Sequence, residues 1–359
     1  MKTKLDNIKM IIELSNANGI SGFEDEVCEL AKKYLHPYCE VKEDKLRNVY
    51  AYRKQNNGKR LLVHLDAHED EVGFLVQALK PNGTLRFINI GGWSNYTIPS
   101  SRVRVKNESG EYVKGIIGAT PPHFMQGQDR NKTPEISSMY IDVGAKSLQD
   151  LKDNYKIDIA SPVVPDVDCY YDAKHDTFLG KAFDCRIGCA SLIKTIDDLS
   201  SEDIDVDVVA TLSSQEEVGE RGIQAVMNNI KPDISIVFEG CPADDTFQEN
   251  YMIQTALGQG PMLRHYDTSI IANPRYMKYA LDLARKLNIP VQESVRSGGG
   301  NNGAIITLSN QGIPTIVIGV PVRYIHSHYG YCTYSDFENA SKLALAIIKN
   351  ITKEQVEKF

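Results

Sequence analysis

No run of eighteen apolar residues occurs anywhere in the 359-residue chain, so no membrane-spanning helix is expected. The first twenty residues carry Lys2, Lys4, Asp6, Lys9 and Glu13, which interrupt any apolar core there, and no secretory signal is expected. Seven cysteines are scattered along the chain, and no two have the Cys-x-x-Cys spacing of a structural zinc knuckle. An odd, scattered set fits a reduced, cytoplasmic setting better than a disulfide framework. An excess of one charge is missing too: 40 Lys plus Arg against 47 Asp plus Glu give a net charge of −7, with no long run of either sign. Binding to phosphate backbones rests on clustered Lys and Arg, so neither nucleic acid nor a membrane is an expected partner.

The chain is long enough to bury a large core and to hold two domains, or one domain with a sizeable insertion. Leu5, Ile8, Ile11, Ile12 and Leu14 recur at helical spacing up to Gly19, a natural helix end. Ser21 and Glu24 have the spacing of a capping box, opening a second amphipathic helix through Val27, Leu30, Ala31 and Leu35. Residues 49–52 and 60–63 read as strands. Between about 75 and 165 the texture changes to short alternating segments separated by turns such as Pro81-Asn82-Gly83 and Asn107-Glu108-Ser109-Gly110, the pattern of a small β-rich module. Inside it, residues 126–138 lack periodicity and read as a mobile loop.

After the module, strand and helix signals alternate. Residues 186–199, 222–228, 276–287 and a last segment through Ile351 read as helices, the last capped by Ser335 with Glu338 three residues on. Residues 206–212, 233–238 and 315–320 read as strands. Such alternation predicts an α/β domain with a mostly parallel sheet, made of residues 1–74 and 166–359 around the insert at 75–165.

In open α/β sheets, ligands bind beyond the carboxyl ends of the strands. His68 lies just past the strand at 60–63; Glu216 and Glu217 end the strand at 206–212; Glu239 ends the one at 233–238; His326 follows the one at 315–320; Asp184 stands at the entry to the helix at 186–199. Each has an ordinary reading alone: a hydrogen-bonded structural His, a helix-capping Asp, a solvated Glu pair at a turn. Their shared placement at one end of one sheet points instead to chemistry. Five of the six could hold two divalent ions, and a mixed nitrogen and oxygen set suits Zn²⁺ but also Co²⁺ or Mn²⁺. Neighbouring side chains of a strand point to opposite sides, so Glu216 and Glu217 could serve one as proton carrier and the other as ligand.

Five segments in order carry a family resemblance: His68-Glu69-Asp70-Glu71-Val72-Gly73-Phe74, Asp184-Cys185-Arg186-Ile187-Gly188-Cys189, Gln215-Glu216-Glu217-Val218-Gly219-Glu220-Arg221-Gly222, Glu239, and Arg323-Tyr324-Ile325-His326-Ser327. The set resembles the glutamyl, TET (tetrahedral) and deblocking aminopeptidases of metallopeptidase family 42, some of whose members carry endoglucanase labels. The resemblance implies an α/β catalytic domain of the phosphorylase/hydrolase type. The insert, with Ile90-Gly91-Gly92-Trp93 and Pro121-Pro122-His123, resembles that family's PDZ-like dimerisation domain. By the same resemblance Asp184 bridges two metal ions, His68 and Glu239 complete one, Glu217 and His326 complete the other, Glu216 is the general base, and Asp70 fixes the His68 imidazole. It further implies a homo-oligomer, a dodecamer of six dimers. His64-Leu65-Asp66 offers a competing His-x-Asp, but only the His68 register is followed by Glu-Val-Gly-Phe, from Glu71 to Phe74, so His64 and Asp66 read as strand residues. Two features depart from the family's pattern. Glu239 stands where Asp is more common, and Ser297-Gly298-Gly299-Gly300-Asn301-Asn302-Gly303 replaces a Gly-Gly-Thr-Asp-Ala stretch; the Gly-rich run lacks the Lys and Ser or Thr of a P-loop and reads as a turn lining the pocket.

The expected function is a cytoplasmic aminopeptidase acting on short peptides. An N-acyl amino acid amidohydrolase would use similar ligands, and a binding or scaffold protein could keep the fold without turnover. A glycosidase fits poorly, because sugar hydrolysis ordinarily needs a carboxylate pair flanking the bond and no metal.

Overall fold

The computed structural model describes residues 2–125, 127 and 132–359. The first part of the chain forms helices α1 (Lys4–Asn16) and α2 (Asp25–Leu35) and strands β1 (Cys39–Glu43), β2 (Val49–Arg53) and β3 (Leu61–His68). Next come β4 (Gly73–Leu79), β5 (Thr84–Ile90), β6 (Arg102–Lys106), β7 (Tyr112–Gly118), β8 (Tyr140–Asp142), the single turn α3 (Leu148–Asp150) and β9 (Pro162–Pro165). The last part contains β10 (Tyr170–Asp172), β11 (Thr177–Gly180), α4 (Phe183–Leu199), β12 (Val206–Ser213), α5 (Arg221–Asn229), β13 (Ile234–Pro242) and β14 (Met262–Tyr266). It closes with α6 (Pro274–Leu287), β15 (Gln292–Val295), α7 (Gly303–Leu308), β16 (Thr315–Val322), β17 (Gly330–Thr333), α8 (Tyr334–Asn350) and α9 (Lys353–Val356).

The main sheet has the order β1-β2-β12-β3-β13-β16-β14-β15. Its central strands β12, β3, β13 and β16 run parallel, and β12 and β16 are buried along their whole length. Helices cover parallel strands on both faces, so such strands read as unbroken apolar runs, which is why these four were visible in the sequence. Antiparallel pairs join in outside these four: β1 with β2, β2 with β12 and β14 with β16, while β15 again runs parallel to β14. These segments are short and lack the long apolar run of a central strand; β1, for example, alternates between buried Cys39 and half-buried Val41 toward the core and exposed Glu40 and Lys42. Register matters for function. Ser213 pairs with His68, and Val237 pairs with Asp66, so two residues further along β13 Glu239 comes level with His68. α4 lies across this sheet with nearly every residue buried, and its Ile187, Leu192, Ile193 and Ile196 join the main core.

Between β3 and β10, six strands close into a barrel in the order β4-β5-β8-β7-β6-β9. The barrel has its own core of Phe74, Val76, Leu85, Phe87, Val103, Ile117 and Ile141 among others. Phe74 anchors it, edge-on to Phe87 at 5.1 Å and stacked on Trp93 at 4.7 Å; such aromatic pairs add to simple area burial. Part of the expected mobile loop, residues 126 and 128–131, lies outside the described residues; its end forms a tight turn at Ile136–Ser138.

Two helix starts differ from expectation. At α2 the capping position falls on Glu24, whose side chain makes no cap hydrogen bond; Ser21 Oγ instead donates to Asp70 Oδ2 at 2.6 Å. At α8 the cap is Thr333, whose hydroxyl accepts from the Asp336 N–H at 3.1 Å, two residues before the expected Ser335. No helix among the described residues is long and apolar enough to cross a membrane.

Candidate metal centre

Two strands, two loops that follow strands and one helix start deliver polar side chains to one point. His68 is the last residue of β3 and Glu239 lies near the end of β13. Asp184 sits in the first turn of α4, which is not regular helix: Asp184 has φ −85° and ψ 103°, and Cys185 φ −116° and ψ 31°. Asp184 is therefore no helix cap, and the irregular turn frees its carboxylate to face the strand ends. His326 lies in the loop after β16, where Tyr324 and His326 themselves take positive φ (63° and 55°).

Glu216 and Glu217 correct one expectation. They do not end a strand, since β12 stops at Ser213 and the chain then turns at Gln215 with φ 54°. The pair occupies a turn gripped by Asp70, whose Oδ1 accepts the Glu216 N–H at 2.9 Å and whose Oδ2 accepts the Glu217 N–H at 3.2 Å. Their different directions come from this turn rather than from strand alternation.

Asp184 faces both imidazoles. Its Oδ1 lies 3.1 Å from His68 Nε2 and its Oδ2 lies 3.2 Å from His326 Nε2. Around His68 Nε2 stand Glu239 Oε2 at 3.7 Å and Glu216 Oε2 at 3.9 Å; Glu217 Oε1 is 3.5 Å from His326 Nε2. The other nitrogen of His68 faces Asp70, 3.2 Å from its carbonyl and 3.4 Å from Oδ1. Behind this, Arg186 is fully buried and donates to the carbonyls of Glu69, Leu14, Ala17 and Gly19, and buried Lys181 pairs with Glu71. These bonds fix the turn that follows His68.

Burial is the main influence on Glu216, Glu217 and Glu239; with Asp184 and other neighbouring carboxylates adding to it, each is pushed well above the usual carboxylate range. Burial also opposes the charge of Asp184, but hydrogen bonds from His326 and His68 outweigh it and hold Asp184 well below that range. For His68, burial is outweighed by Glu216 and further anionic groups, so its pKa is raised. So many acids in one buried place are costly without cations to balance them. Glu217 Oε1 and Glu239 Oε1 are buried with no hydrogen-bond partner, as carboxylate oxygens reserved for cations would be. His68, Asp184 and Glu239 form one group of potential ligands and Asp184, Glu217 and His326 another, the donor atoms of each within 4.8 Å of one another. Imidazole nitrogen and carboxylate oxygen together fit divalent ions. Cys185 falls in the first group, but its thiol donates to the Phe238 carbonyl at 3.2 Å and burial pushes its pKa far up, so it stays a thiol.

The centre opens into a cavity of about 520 Å³ walled by Gly298, Gly299, Gly300, Arg264, Arg296 and Glu220. The glycine run does line the pocket, as expected. Asn301 and Asn302 do not: both are fully buried. Asn301 Nδ2 donates to Asp267, and Asn302 Nδ2 donates to Asp66 Oδ2 at 2.8 Å and Ser213 Oγ at 2.7 Å. His64 and Asp66 are strand residues, and both bond Thr211. Arg264 and Arg296 were not read from the sequence. The signal available was an Arg at i, i+3 to an Asp within an apolar segment, and Arg264 does pair with Asp267 at 3.0 Å. On the barrel side Gly92 approaches so closely that a Cβ there would lie 2.9 Å from His326 Nδ1, so the Gly91-Gly92 turn brings the insert against the centre.

Residues 47–343 match the family model of the M42 glutamyl aminopeptidases. A TET aminopeptidase structure from a marine sediment archaeon, Thaumarchaeota archaeon SCGC AB-539-E09, is 35% identical with a TM-score of 0.94, covering 98% of this chain and 99% of that one. The glutamyl aminopeptidase of Lactococcus lactis is 29% identical, with 98% of this chain and 97% of that protein covered. A TET peptidase of Pyrococcus horikoshii, which assembles into a tetrahedron or a large octahedral shell, is 25% identical with a TM-score of 0.85, over 96% of this chain and 100% of that one.

Proposed function

This chain belongs to the M42 glutamyl aminopeptidase family, and from that premise we propose that it removes N-terminal residues from short peptides in the cytoplasm, using two divalent ions per chain. The observation that carries this reading is the division of Asp184 between two imidazoles, 3.1 Å to His68 and 3.2 Å to His326. His68 and Glu239 would hold one ion, Glu217 and His326 the other, and Asp184 both. The donor set favours Zn²⁺, with Co²⁺ or Mn²⁺ accepted by the same atoms.

Such ions, when bound, acidify a water and polarise the scissile carbonyl. The protein's own part is proton transfer and positioning. Glu216, with its carboxylate at the rim of the cluster, takes the proton from the attacking water and returns it to the leaving amine nitrogen, a step that calls for a positioned acid–base group within hydrogen-bond reach. Asp70 holds Glu216 and Glu217 by their backbone N–H groups and orients His68. The walled cavity receives the first residue with its free α-amino group.

We further propose that the barrel insert, residues 75–165, serves self-association, and that the chain forms a dodecamer of six dimers. Exposed Phe124 on the insert, at 78%, supports a contact surface there, and light scattering should give about twelve times the 40.1 kDa chain mass. The functional reading is tested by hydrolysis of paired peptides with free and N-acetylated termini, with and without chelator. Cleavage of the free peptides alone, abolished by chelator, supports it; cleavage of the acylated peptides favours the amidohydrolase.

A further inference from the structure

The loop that presents His326 to the metal centre has a second cavity on its other side. This loop is built stiffly. Arg323 grips Asp245 through Nε at 2.9 Å and Nη2 at 2.6 Å, its backbone pairs with Tyr331, and Ser327 Oγ lies 2.6 Å from the Tyr324 carbonyl and 2.9 Å from that of Tyr329. Left-handed backbone at Tyr324 and His326 turns successive side chains to different sides, a conformation that non-glycine residues keep only when their surroundings enforce it.

The second cavity measures about 620 Å³, and among the described residues its wall has no Asp, Glu, Lys or Arg. Tyr324, Tyr329 and Tyr331 supply aromatic faces, and Ser94, Thr97 and Ser101 of the insert supply hydroxyls. Tyr324 and Tyr329 are 56% and 50% exposed. Ile325 and His326 border this cavity and the metal cavity alike. Among the metal-site side chains His326 is also the most open, at 38% exposure against 16% for Asp184 and 1% for His68. Ile325 and His326 thus form the border along which the metal cavity and the tyrosine-lined cavity adjoin.

We propose that this second cavity is the subsite for the residue that follows the scissile bond, and that it favours apolar and aromatic side chains there. The inference rests on the aminopeptidase reading: once the first residue fills the metal cavity, the rest of the peptide leaves past His326. An aromatic second residue gains the tyrosine faces. An acidic one loses its water and meets no Lys or Arg among the described residues of the wall, a cost that burial does not return.

The test uses full-length, metal-loaded protein and three peptides that share an accepted first residue X: X-Phe-Gly, X-Gly-Gly and X-Asp-Gly. The expected kcat/KM for the Phe peptide exceeds that for the Gly peptide by about tenfold or more, with the Asp peptide slowest. Tyr329→Ala should bring the Phe-to-Gly ratio close to one. Independently of turnover, titration calorimetry should show N-acetyl-phenylalanine amide, which lacks the free amino group the metal cavity receives, binding to the wild type and weakening at least tenfold in Tyr329→Ala. Equal rates for the three peptides overturn the subsite. So does a Tyr329→Ala protein that keeps the ratio but changes assembly mass, which would make the cavity a subunit contact. Failure to cleave any peptide with metal bound overturns the aminopeptidase reading itself, and the subsite with it.

Discussion

Asp70 Oδ1 accepts the backbone N–H of Glu216 at 2.9 Å, tying a residue two positions beyond His68, just past the end of β3, to the proposed base beyond the neighbouring strand β12. The same carboxylate takes the Glu217 N–H and the Ser21 hydroxyl, and stands 3.4 Å from His68 Nδ1. One side chain thus sets the position of the proposed ligand imidazole and of both glutamates. An amide at this position would turn an NH₂ toward N–H donors or toward the ring. Asp70→Asn should therefore lower metal affinity about 10- to 100-fold, the range found when a partner behind a ligand is lost, with a matching loss of activity. Metal titration of the stripped variant, followed by peptide hydrolysis, measures both.

Glu216→Gln keeps shape and hydrogen bonding while removing the proton acceptor. Full metal content with kcat lowered about 10²- to 10⁴-fold is expected. Mass-spectrometric metal analysis beside a kinetic assay checks it, and near-normal kcat would remove Glu216 from the role of base.

Asn302 is explained by what faces it. Its Nδ2 donates to Asp66, and both residues are fully buried. Asn302→Asp would set two carboxyls against each other without a cation between them, costing about 1–3 kcal/mol. Asp66→Asn in that background should recover much of the loss by exchanging amide and carboxylate. Urea unfolding of the three proteins decides it, and an Asn302→Asp protein as stable as the wild type would contradict the pairing.

Metal-free protein should lose stability as pH rises. Glu216, Glu217 and Glu239 have raised pKa values in the folded state, chiefly through burial, so the folded form holds more protons than the unfolded form above the ordinary carboxylate range. Stability then falls with rising pH. Asp184 and Asp70, held low, act in the opposite sense but only at more acidic pH. Thermal unfolding of the stripped protein should show a Tm that declines from about pH 5 to pH 8, with a smaller decline once divalent ions are added. A Tm that rises over that range without metal would contradict the buried acid cluster.

The residues that converge were legible because the fold buries the central strands on both faces. Leu61 to Val63, Val206 to Leu212 and Ile234 to Phe238 are apolar runs, and the polar residues beyond them had to lie at one edge. Local signals were weaker where a distant partner intervened. The Ser21 hydroxyl, placed by spacing in a capping box, is taken by Asp70, forty-nine positions away. The apolar run before it places the Glu216-Glu217 pair at a strand end, yet Asp70 draws it into a turn. Arg264 carries no local signal of its place in the cavity, which follows from β14 lying beside β16, a neighbour no local pattern announces.

The most direct test of the two-ion aminopeptidase is to strip the protein, return Zn²⁺ in measured steps, and follow cleavage of a free-amino peptide against moles of ion bound per chain. Activity that stays absent without metal and reaches its plateau at two ions per chain is the predicted result. Full activity in the stripped protein, or a plateau at a single ion, would contradict it.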